Sequence, residues 1–221
     1  DSSTSRGLGD VYKRQGVRGL LLHASRESAA SPPVALVMVP ALDRCGQYGG
    51  MTFRYDFAPT PFGDALAVFS DEGLVRFDLS ESDDPSVPWV LENVSGQLGA
   101  VPDPDPGAAD DVIELLDAYF DGAPVRFEDH LEFDWRLVNG FARTALQTIS
   151  TIEWGETMSY GEIAVLAGRP GAARAVGTAC RLSPFSIVVP VHRVVRSDGT
   201  AGQYGAHPER KRFLLDLESH S

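Results

Sequence analysis

Apolar and polar residues alternate from Met51 onward in a pattern typical of β-strands. The segment MTFRYDF alternates in this way, and PTPFG at 59–63 predicts a turn. Two further apolar runs, at 65–69 and 74–79, flank a short Gly-containing segment. This arrangement predicts a β-hairpin.

Helical periodicity follows this β pattern. Residues 81–106 are rich in Pro, Asp, Gly and Ser and predict a loop between the two patterns. Residues 110–120 (DDVIELLDAYF) have apolar positions three and four apart and an acidic first turn, so they predict a helix that stops at Gly122. A second helical pattern covers residues 137–152.

Two short helical segments joined by a tight turn come next. SYGEIAVLA at 159–167 begins with Ser159 and has Glu162 three residues later, which is the capping-box pattern. The turn GRPG leads into AARAVGTACR at 172–181. Such a pair matches a helix-turn-helix, although most helix pairs of this kind are only structural.

The C-terminal region contains the most distinctive residues of the chain. SPFSIVVPVHRVVR at 183–196 is a β-branched run bounded by prolines, and AGQYG at 201–205 predicts a Gly-containing loop. The segment PERKRFLLDL at 208–217 predicts a closing helix.

The first 50 residues differ from the rest. Residues 1–15 (DSSTSRGLGDVYKRQ) are polar, lack an apolar period and look like translated adapter sequence. We therefore expect Met51 to be the natural start and residues 1–50 to be a non-native extension. The alternative is an unstructured N-terminal extension of the natural protein.

Charge is distributed unevenly along the chain. The 221 residues carry 19 basic and 31 acidic side chains, for a net charge of −12, which at first argues against nucleic-acid binding. Residues 51–140 hold 4 basic and 20 acidic side chains, whereas residues 141–213 hold 9 basic and 5 acidic ones. The acidity thus lies in one segment, and the later segment carries a net +4 that suits an anionic partner.

Composition excludes several classes of protein. The longest apolar run, at 32–42, contains prolines and is too short for a membrane span, which excludes an integral membrane protein. Cys45 and Cys180 are the only cysteines, which excludes a disulfide scaffold and a Cys-rich zinc site.

Several segments together resemble one family. SYGEIA, AARAVGTA, SPFSIVVPVHRVV, SDG, AGQYG and RKRFLL occur in the order and spacing of the O6-alkylguanine-DNA alkyltransferase (methylated-DNA–protein-cysteine methyltransferase) family. The resemblance is weak over residues 51–140 and strong over residues 141–218. It implies an α/β N-terminal domain with a small antiparallel sheet at 51–136. It also implies a mainly α, winged-helix-like C-terminal domain with a DNA-binding helix-turn-helix at 137–221.

The resemblance also implies a mechanism and a partner. Family members bind double-stranded DNA containing O6-alkylguanine, flip the damaged base into a pocket and transfer its alkyl group to a cysteine. They need no organic cofactor. Zinc occurs in the N-terminal domain of some members, but residues 51–140 contain no Cys and one His, so we expect no metal. We expect a cytoplasmic monomer that acts with other repair proteins.

The DNA-binding residues implied by the resemblance lie on the two short helical segments. They are Tyr160, Ala172, Ala173, Arg174 and Gly177. Arg174 matches the arginine that fills the space left by the flipped base, and Tyr160 matches the tyrosine that crowds the phosphate 3′ to the lesion. A plain surface charge and packing at a helix start are the structural alternatives for these two, and simple helix packing is the alternative for the small residues.

The residues implied for the lesion pocket follow the second helix. They are Ser183, Pro184, Pro190, Tyr204 and Gly205. Tyr204 matches the tyrosine whose hydroxyl faces the guanine O6, although a loop aromatic that covers the core is an alternative. Ser183 stands where the family usually has an asparagine, and a serine reaches less far with its hydrogen bonds.

The sequence departs from the family at the nucleophile. The family motif is Pro-Cys-His-Arg, whereas this chain has Val191 between Pro190 and His192. A valine has no lone pair and cannot accept an alkyl group by displacement. His192 and Glu218 match the relay that activates the family's cysteine, and Arg193 matches a structural arginine. Without the cysteine, a purely structural His192–Glu218 pair is the alternative.

Three functional hypotheses remain open. The first is a non-catalytic protein that binds O6-alkylguanine in DNA, as alkyltransferase-like proteins without the cysteine do. The second is an active methyltransferase, either through an error at codon 191 or through Cys180, which lies on the presumed recognition helix. Cys45 lies outside the matching region. The third is a helix-turn-helix module that binds DNA without preference for a lesion.

Overall fold

The computed structural model describes residues 52–79, 87–202, 204–205 and 207–219. All of these lie in one compact unit, Ala41–Ser221. The predictions for residues 1–50, which include Cys45, and for Met51 as the natural start lie outside the described residues.

A four-stranded sheet forms the first part of the described chain. Its strands are β1 (Arg54–Ala58), β2 (Ala65–Ser70), β3 (Gly73–Leu79) and β4 (Asp103–Pro104). The spatial order is β3-β2-β1-β4, with antiparallel pairing of β2 to both of its neighbours. The predicted hairpin is therefore confirmed. The expected antiparallel sheet is in fact mixed, because β4 pairs parallel to β1.

Helices are the main regular elements of the remaining described chain. The α-helices are α1 (Val87–Leu98), α2 (Asp110–Phe120), α3 (Gly140–Ser150), α4 (Tyr160–Leu166), α5 (Ala173–Arg181) and α6 (Pro208–Ser219). Short 3₁₀ turns cover Phe127–Asp129, Trp135–Leu137 and Val191–Arg193, and β5 (Met158–Ser159) pairs parallel to β6 (Val194–Val195). The predictions for α2 to α6 are confirmed to within a few residues.

The prediction of a loop at 81–106 was wrong. This segment contains helix α1 and strand β4. Pro88 lies in the first turn of the helix, where proline is tolerated because its missing N–H would have no partner. Val94 and Leu98, one turn apart, are buried against the sheet. Local composition favoured a loop, but the contact with the sheet stabilises the helix.

The sheet is covered by apolar groups on both faces. Leu66 and Val68 of β2 pack in a small cluster with Val94 of α1, whereas the alternate residues Ala65 and Ala67 belong to the main core. That main core is continuous from the sheet through α2, α3 and α5 to the 3₁₀ turn at Val191–Arg193 and to α6. The sheet therefore directly supports the region that holds the family motif.

Within the described residues, no helix is both long and apolar enough to span a bilayer.

Candidate nucleic-acid interface

The segment that carries the predicted pocket is held against the edge of the sheet. The Phe77 amide of β3 donates to the Pro184 carbonyl at 2.8 Å, and the Ser186 amide donates to the Phe77 carbonyl at 2.8 Å. Pro184 and Phe185 are buried there. The loop thus gains a strand-like pair with β3, which fixes its position relative to the core.

Two features shape the loop itself. The Ser183 hydroxyl accepts a hydrogen bond from the Phe185 amide at 3.2 Å, so its polar group serves the local turn. Ile187 has φ = 63°, which is rare for a β-branched residue. Because its side chain is only 1% exposed, burial offsets the strained backbone. Pro190, at the end of the loop, is also buried.

Val191 occupies the position of the family's nucleophile. It begins the 3₁₀ turn Val191–Arg193, is 7% exposed and belongs to the main hydrophobic core. Its amide donates to the Val189 carbonyl at 2.7 Å. The side chain therefore packs as a core residue and offers only hydrocarbon to any bound group.

His192 and Glu218 meet, as the sequence predicted. The imidazole is fully buried, and its Nε2 lies 2.8 Å from Oε1 of Glu218. Burial lowers the pKa of His192, although the hydrogen bond to Glu218 opposes this effect. The imidazole is therefore neutral at pH 7, and its proton is assigned to Nε2, which faces a carboxylate. Its Nδ1 is buried and has no partner among the described residues.

Glu218 is held as a carboxylate by several donors. Arg193 donates from Nε to Oε2 at 2.8 Å and from Nη2 to Oε1 at 3.0 Å, and the Gly155 amide lies 3.4 Å from Oε2. Burial raises the pKa of Glu218, but the hydrogen bonds from His192 and Arg193 outweigh it and lower the pKa to about 2. Arg193 also donates from Nη1 to the Ile152 carbonyl at 2.5 Å. This geometry agrees with the structural role expected for Arg193.

Tyr119 joins this network, although the sequence did not predict it. Its hydroxyl donates to Oε1 of Glu218 at 2.6 Å and lies 3.3 Å from Nε2 of His192. Burial, followed by the charge of Glu218, raises the pKa of Tyr119. In the sequence, Tyr119 is one more residue of the apolar stripe of α2. Only its position opposite α6 distinguishes it from Val112 and Leu116.

The predicted DNA-binding residues lie on α4 and α5, which pack on each other. Arg174 is exposed, and its guanidinium makes no hydrogen bond or ion pair with the described residues. Ala172 and Ala173 are half-buried at the start of α5. A Cβ added to Gly177 would lie 3.8 Å from the Tyr160 ring, which is ordinary contact. Gly177 therefore lies beside the tyrosine of the neighbouring helix.

The start of α4 has the predicted cap. The Ser159 hydroxyl accepts from the Glu162 amide at 3.2 Å, and the Ser159 amide donates to the Glu162 carboxylate at 2.7 Å. This reciprocal pair fixes the first turn of the helix, and Tyr160 is the first residue of that turn.

Tyr204 lies over the loop that precedes Val191. Its hydroxyl oxygen is buried and makes no hydrogen bond of ordinary geometry with the described residues. Burial raises the pKa of Tyr204 to about 12, and the nearby Ile187 backbone partly opposes this shift. The next residue, Gly205, is exposed and has φ = 54°. Tyr204 thus retains an unused buried donor close to the Val191 loop.

Cys180 lies on α5, outside the motif at Val191. Burial raises the pKa of its thiol to about 12, although the charge of Lys211 opposes this effect. Lys211 is buried, and its Nζ donates to the Val194 carbonyl at 2.5 Å. A thiol with this pKa is almost entirely protonated at pH 7 and is a poor nucleophile.

A groove of about 590 Å³ opens beside Ser183 and Pro184. Its other lining residues come mainly from the sheet, the Trp135–Leu137 turn and the end of α5, and include Arg76, Arg136 and Arg181. Val191 and Tyr204 do not line it. Ser183 and Pro184 therefore face a groove that is separate from the residues around Val191.

Comparison with known proteins agrees with this geometry. Residues 140–220 match a family model described as "6-O-methylguanine DNA methyltransferase, DNA binding domain". A methylated-DNA–protein-cysteine methyltransferase of Mycobacterium tuberculosis is 46% identical over 115 residues, which cover 52% of this chain and 68% of that protein. The protein of the same name from Mus musculus is 38% identical over 177 residues, covering 75% of this chain and 81% of its own.

The chain belongs to the methylated-DNA–protein-cysteine methyltransferase family. The fold agrees with this assignment, since the crystal structure of Mycobacterium tuberculosis OGT in complex with DNA superposes with a TM-score of 0.60 at 34% identity. The match covers 76% of this chain and 92% of that chain. The α/β N-terminal domain and the helical C-terminal DNA-binding domain expected from the sequence are thus confirmed. In this member of a DNA-repair family, Val191 occupies the nucleophile position.

Proposed function

We propose that this chain binds double-stranded DNA containing O6-alkylguanine, flips the damaged base and does not accept its alkyl group. The observation that carries the proposal is a buried Val191 beside a His192 imidazole that is hydrogen-bonded to Glu218 at 2.8 Å. The relay is retained, but the residue it would activate has no lone pair.

The pocket residues support recognition of the lesion. The buried Tyr204 hydroxyl, whose donor has no partner among the described residues, is suited to donate a hydrogen bond to the guanine O6. An unsatisfied buried donor costs about 1–3 kcal/mol, so a ligand that supplies an acceptor recovers that free energy. Val191 would give the pocket an apolar wall against which an alkyl group can pack.

The helices α4 and α5 supply the proposed DNA contact, as a helix-turn-helix within the C-terminal domain at 137–221. The exposed Arg174 guanidinium would enter the space left by the flipped base, and Tyr160 would lie against the backbone. The net +4 of residues 141–213 favours binding to a phosphate backbone. The N-terminal boundaries at 51–136, a cytoplasmic location, a monomeric state and cooperation with other repair proteins stay predictions.

The decisive experiment measures both adduct formation and binding. The wild type, Val191→Ala and Val191→Cys are each incubated with duplex DNA containing O6-methylguanine, and the intact mass of each protein is measured. We expect no mass change for the wild type and for Val191→Ala, and a gain of one CH₂ for Val191→Cys. Fluorescence anisotropy of the wild type and of Val191→Ala should show tighter binding to the alkylated duplex than to the unmodified one.

Two results would contradict the proposal. A gain of one CH₂ in the wild type would indicate an active methyltransferase, and its loss in Cys180→Ala would identify Cys180 as the acceptor. The raised pKa of Cys180, about 12, argues against this, because about one thiol in 10⁵ is ionised at pH 7. Equal affinity for both duplexes would instead favour a DNA-binding module without lesion preference.

A further inference from the structure

Arg196 begins a tight turn next to Tyr160. The turn, Arg196–Thr200, is closed by backbone hydrogen bonds from the Arg196 amide to the Thr200 carbonyl and from the Gly199 amide to the Arg196 carbonyl, both 2.9 Å long. Arg196 directly follows β6, whose pairing with β5 holds the start of the turn next to α4. The arginine is therefore presented from a fixed backbone.

Arg196 and Tyr160 flank the same glycine. A Cβ added to Gly202 would lie 3.2 Å from the Tyr160 hydroxyl oxygen and 3.9 Å from Cγ of Arg196. Gly202 has φ = 64°, so the conformation itself favours glycine at this position. Because Gly202 has no side chain, the hydroxyl and the arginine stem approach each other across it.

The Arg196 guanidinium is available for a ligand. Arg196 is exposed, and its side chain makes no hydrogen bond or ion pair with the described residues. Asp198, on the same turn, lies within electrostatic reach of Arg196 but forms no ion pair with it, and its Oδ1 accepts from the Thr200 amide at 2.9 Å and from the Thr200 hydroxyl at 2.6 Å. An exposed guanidinium and a phenolic hydroxyl are both donors that suit a phosphate oxygen.

The local electrostatics favour an anion at this position. The positive charge of Arg196 opposes the rise in the pKa of Tyr160 that burial causes, so the two groups lie within electrostatic reach. Lys211 is buried nearby, and its pKa, about 8, keeps it mostly protonated at pH 7. Burial is the main cause of this low pKa of Lys211, and the positive charge of Arg196 adds to it. The positive charge of Arg196 therefore acts on the Tyr160 hydroxyl, and Lys211 lies within electrostatic reach of Arg196.

We propose that Arg196 and the Tyr160 hydroxyl together bind one phosphate of the DNA backbone, extending the interface from α5 to the Arg196–Thr200 turn. This inference rests on the proposed DNA binding and adds Arg196, which lies outside α4 and α5, as a partner of Tyr160 in one contact. Because the contact is to a phosphate and not to a base, it strengthens binding to alkylated and unmodified duplexes by the same factor.

Salt dependence tests the contact. Affinities of the wild type, Arg196→Ala and Arg54→Ala are measured by anisotropy on both duplexes between 50 and 200 mM NaCl. Arg54→Ala is the control because it removes the same charge from the sheet, where Arg54 pairs with Asp105 at 3.1 Å. Loss of one phosphate contact lowers the slope of log K against log salt by about 1, so the wild-type advantage over Arg196→Ala should shrink about three- to fourfold across this range.

A Tyr160→Phe variant and the double variant show whether both groups bind the same phosphate. If they do, the double variant should lose less affinity than the two single losses combined. An unchanged slope in Arg196→Ala, or an equal change in Arg54→Ala, would overturn the inference while leaving the proposed function intact. Losses of binding free energy that add up in the double variant would show that Arg196 and Tyr160 do not bind the same phosphate. Absence of binding to either duplex by the wild type would overturn the proposed function, and this inference with it.

Discussion

The Tyr119 hydroxyl provides the sharpest test of the buried network. It donates to Oε1 of Glu218 at 2.6 Å and links α2, in the α/β part of the chain, to α6 at the C-terminus. Tyr119→Phe removes the hydroxyl, with its hydrogen bond to Glu218 and its 3.3 Å contact with Nε2 of His192, and keeps the ring with its edge-on contacts to Phe120 and Trp154. The substitution therefore isolates the polar contact from the packing.

The expected loss follows from the charge on the acceptor. A hydrogen bond to a charged group contributes about 1.5–3 kcal/mol. Glu218 keeps the donors from His192 and Arg193, so the carboxylate is not left without partners and the loss stays within this range. For a chain of this size, each kcal/mol shifts Tm by about 2–4 °C, which gives a decrease of about 3–12 °C.

Urea denaturation followed by tryptophan fluorescence measures the free energy of unfolding. Tyr55→Phe is the matched control, since Tyr55 on β1 is half-buried and its hydroxyl makes no hydrogen bond with the described residues. We expect the control to change the free energy of unfolding by less than about 0.5 kcal/mol. A Tyr119→Phe variant as stable as the control would refute the network as a stabilising link between α2 and α6.

The remaining predictions concern pH and backbone conformation. The pKa of Glu218, about 2, lies below its unfolded value, and burial lowers the pKa of His192, so both groups contribute stability that is fully present above pH 6.5. The Tm of the wild type should therefore fall as pH drops below 6.5 and fall again from about pH 4.5 towards 2. The same dependence of Tm on pH in Glu218→Gln as in the wild type would contradict this. The pKa of Lys211, about 8, is below its unfolded value, so the wild type should gain stability relative to Lys211→Met as pH rises from 8 to 10.5. A difference in free energy of unfolding between the two proteins that stays constant over this range would argue against a buried ammonium. Gly73→Ala should lower the free energy of unfolding by more than about 1 kcal/mol, because φ is 133° and the added Cβ would lie 2.2 Å from a backbone oxygen. Gly96→Ala, on the exposed face of α1, should instead raise it by about 0.5–1 kcal/mol. Chemical denaturation that finds Gly73→Ala more stable than Gly96→Ala would refute the backbone assignment.

Local patterns predicted most of the secondary structure. The hairpin β2–β3 and the helices α2 and α4 depend on short-range signals: alternation around a glycine turn, a 3.6-residue apolar stripe, and the Ser159–Glu162 cap. These signals are complete within a few residues, so the sequence alone carries them. Helix α1 was missed because its stability depends on Val94 and Leu98 meeting the sheet, a contact between distant segments.

The sequence alone determined that a valine, Val191, stands between Pro190 and His192 at the position of the family's nucleophile. Which groups come together was decided by the tertiary structure. Tyr119 and Glu218 are 99 positions apart in the chain and meet at 2.6 Å, and Tyr160 and Arg196 come together only across Gly202. A sequence pattern reports the period of one element, whereas a buried polar contact depends on where packing brings two elements together, and no single element encodes that position.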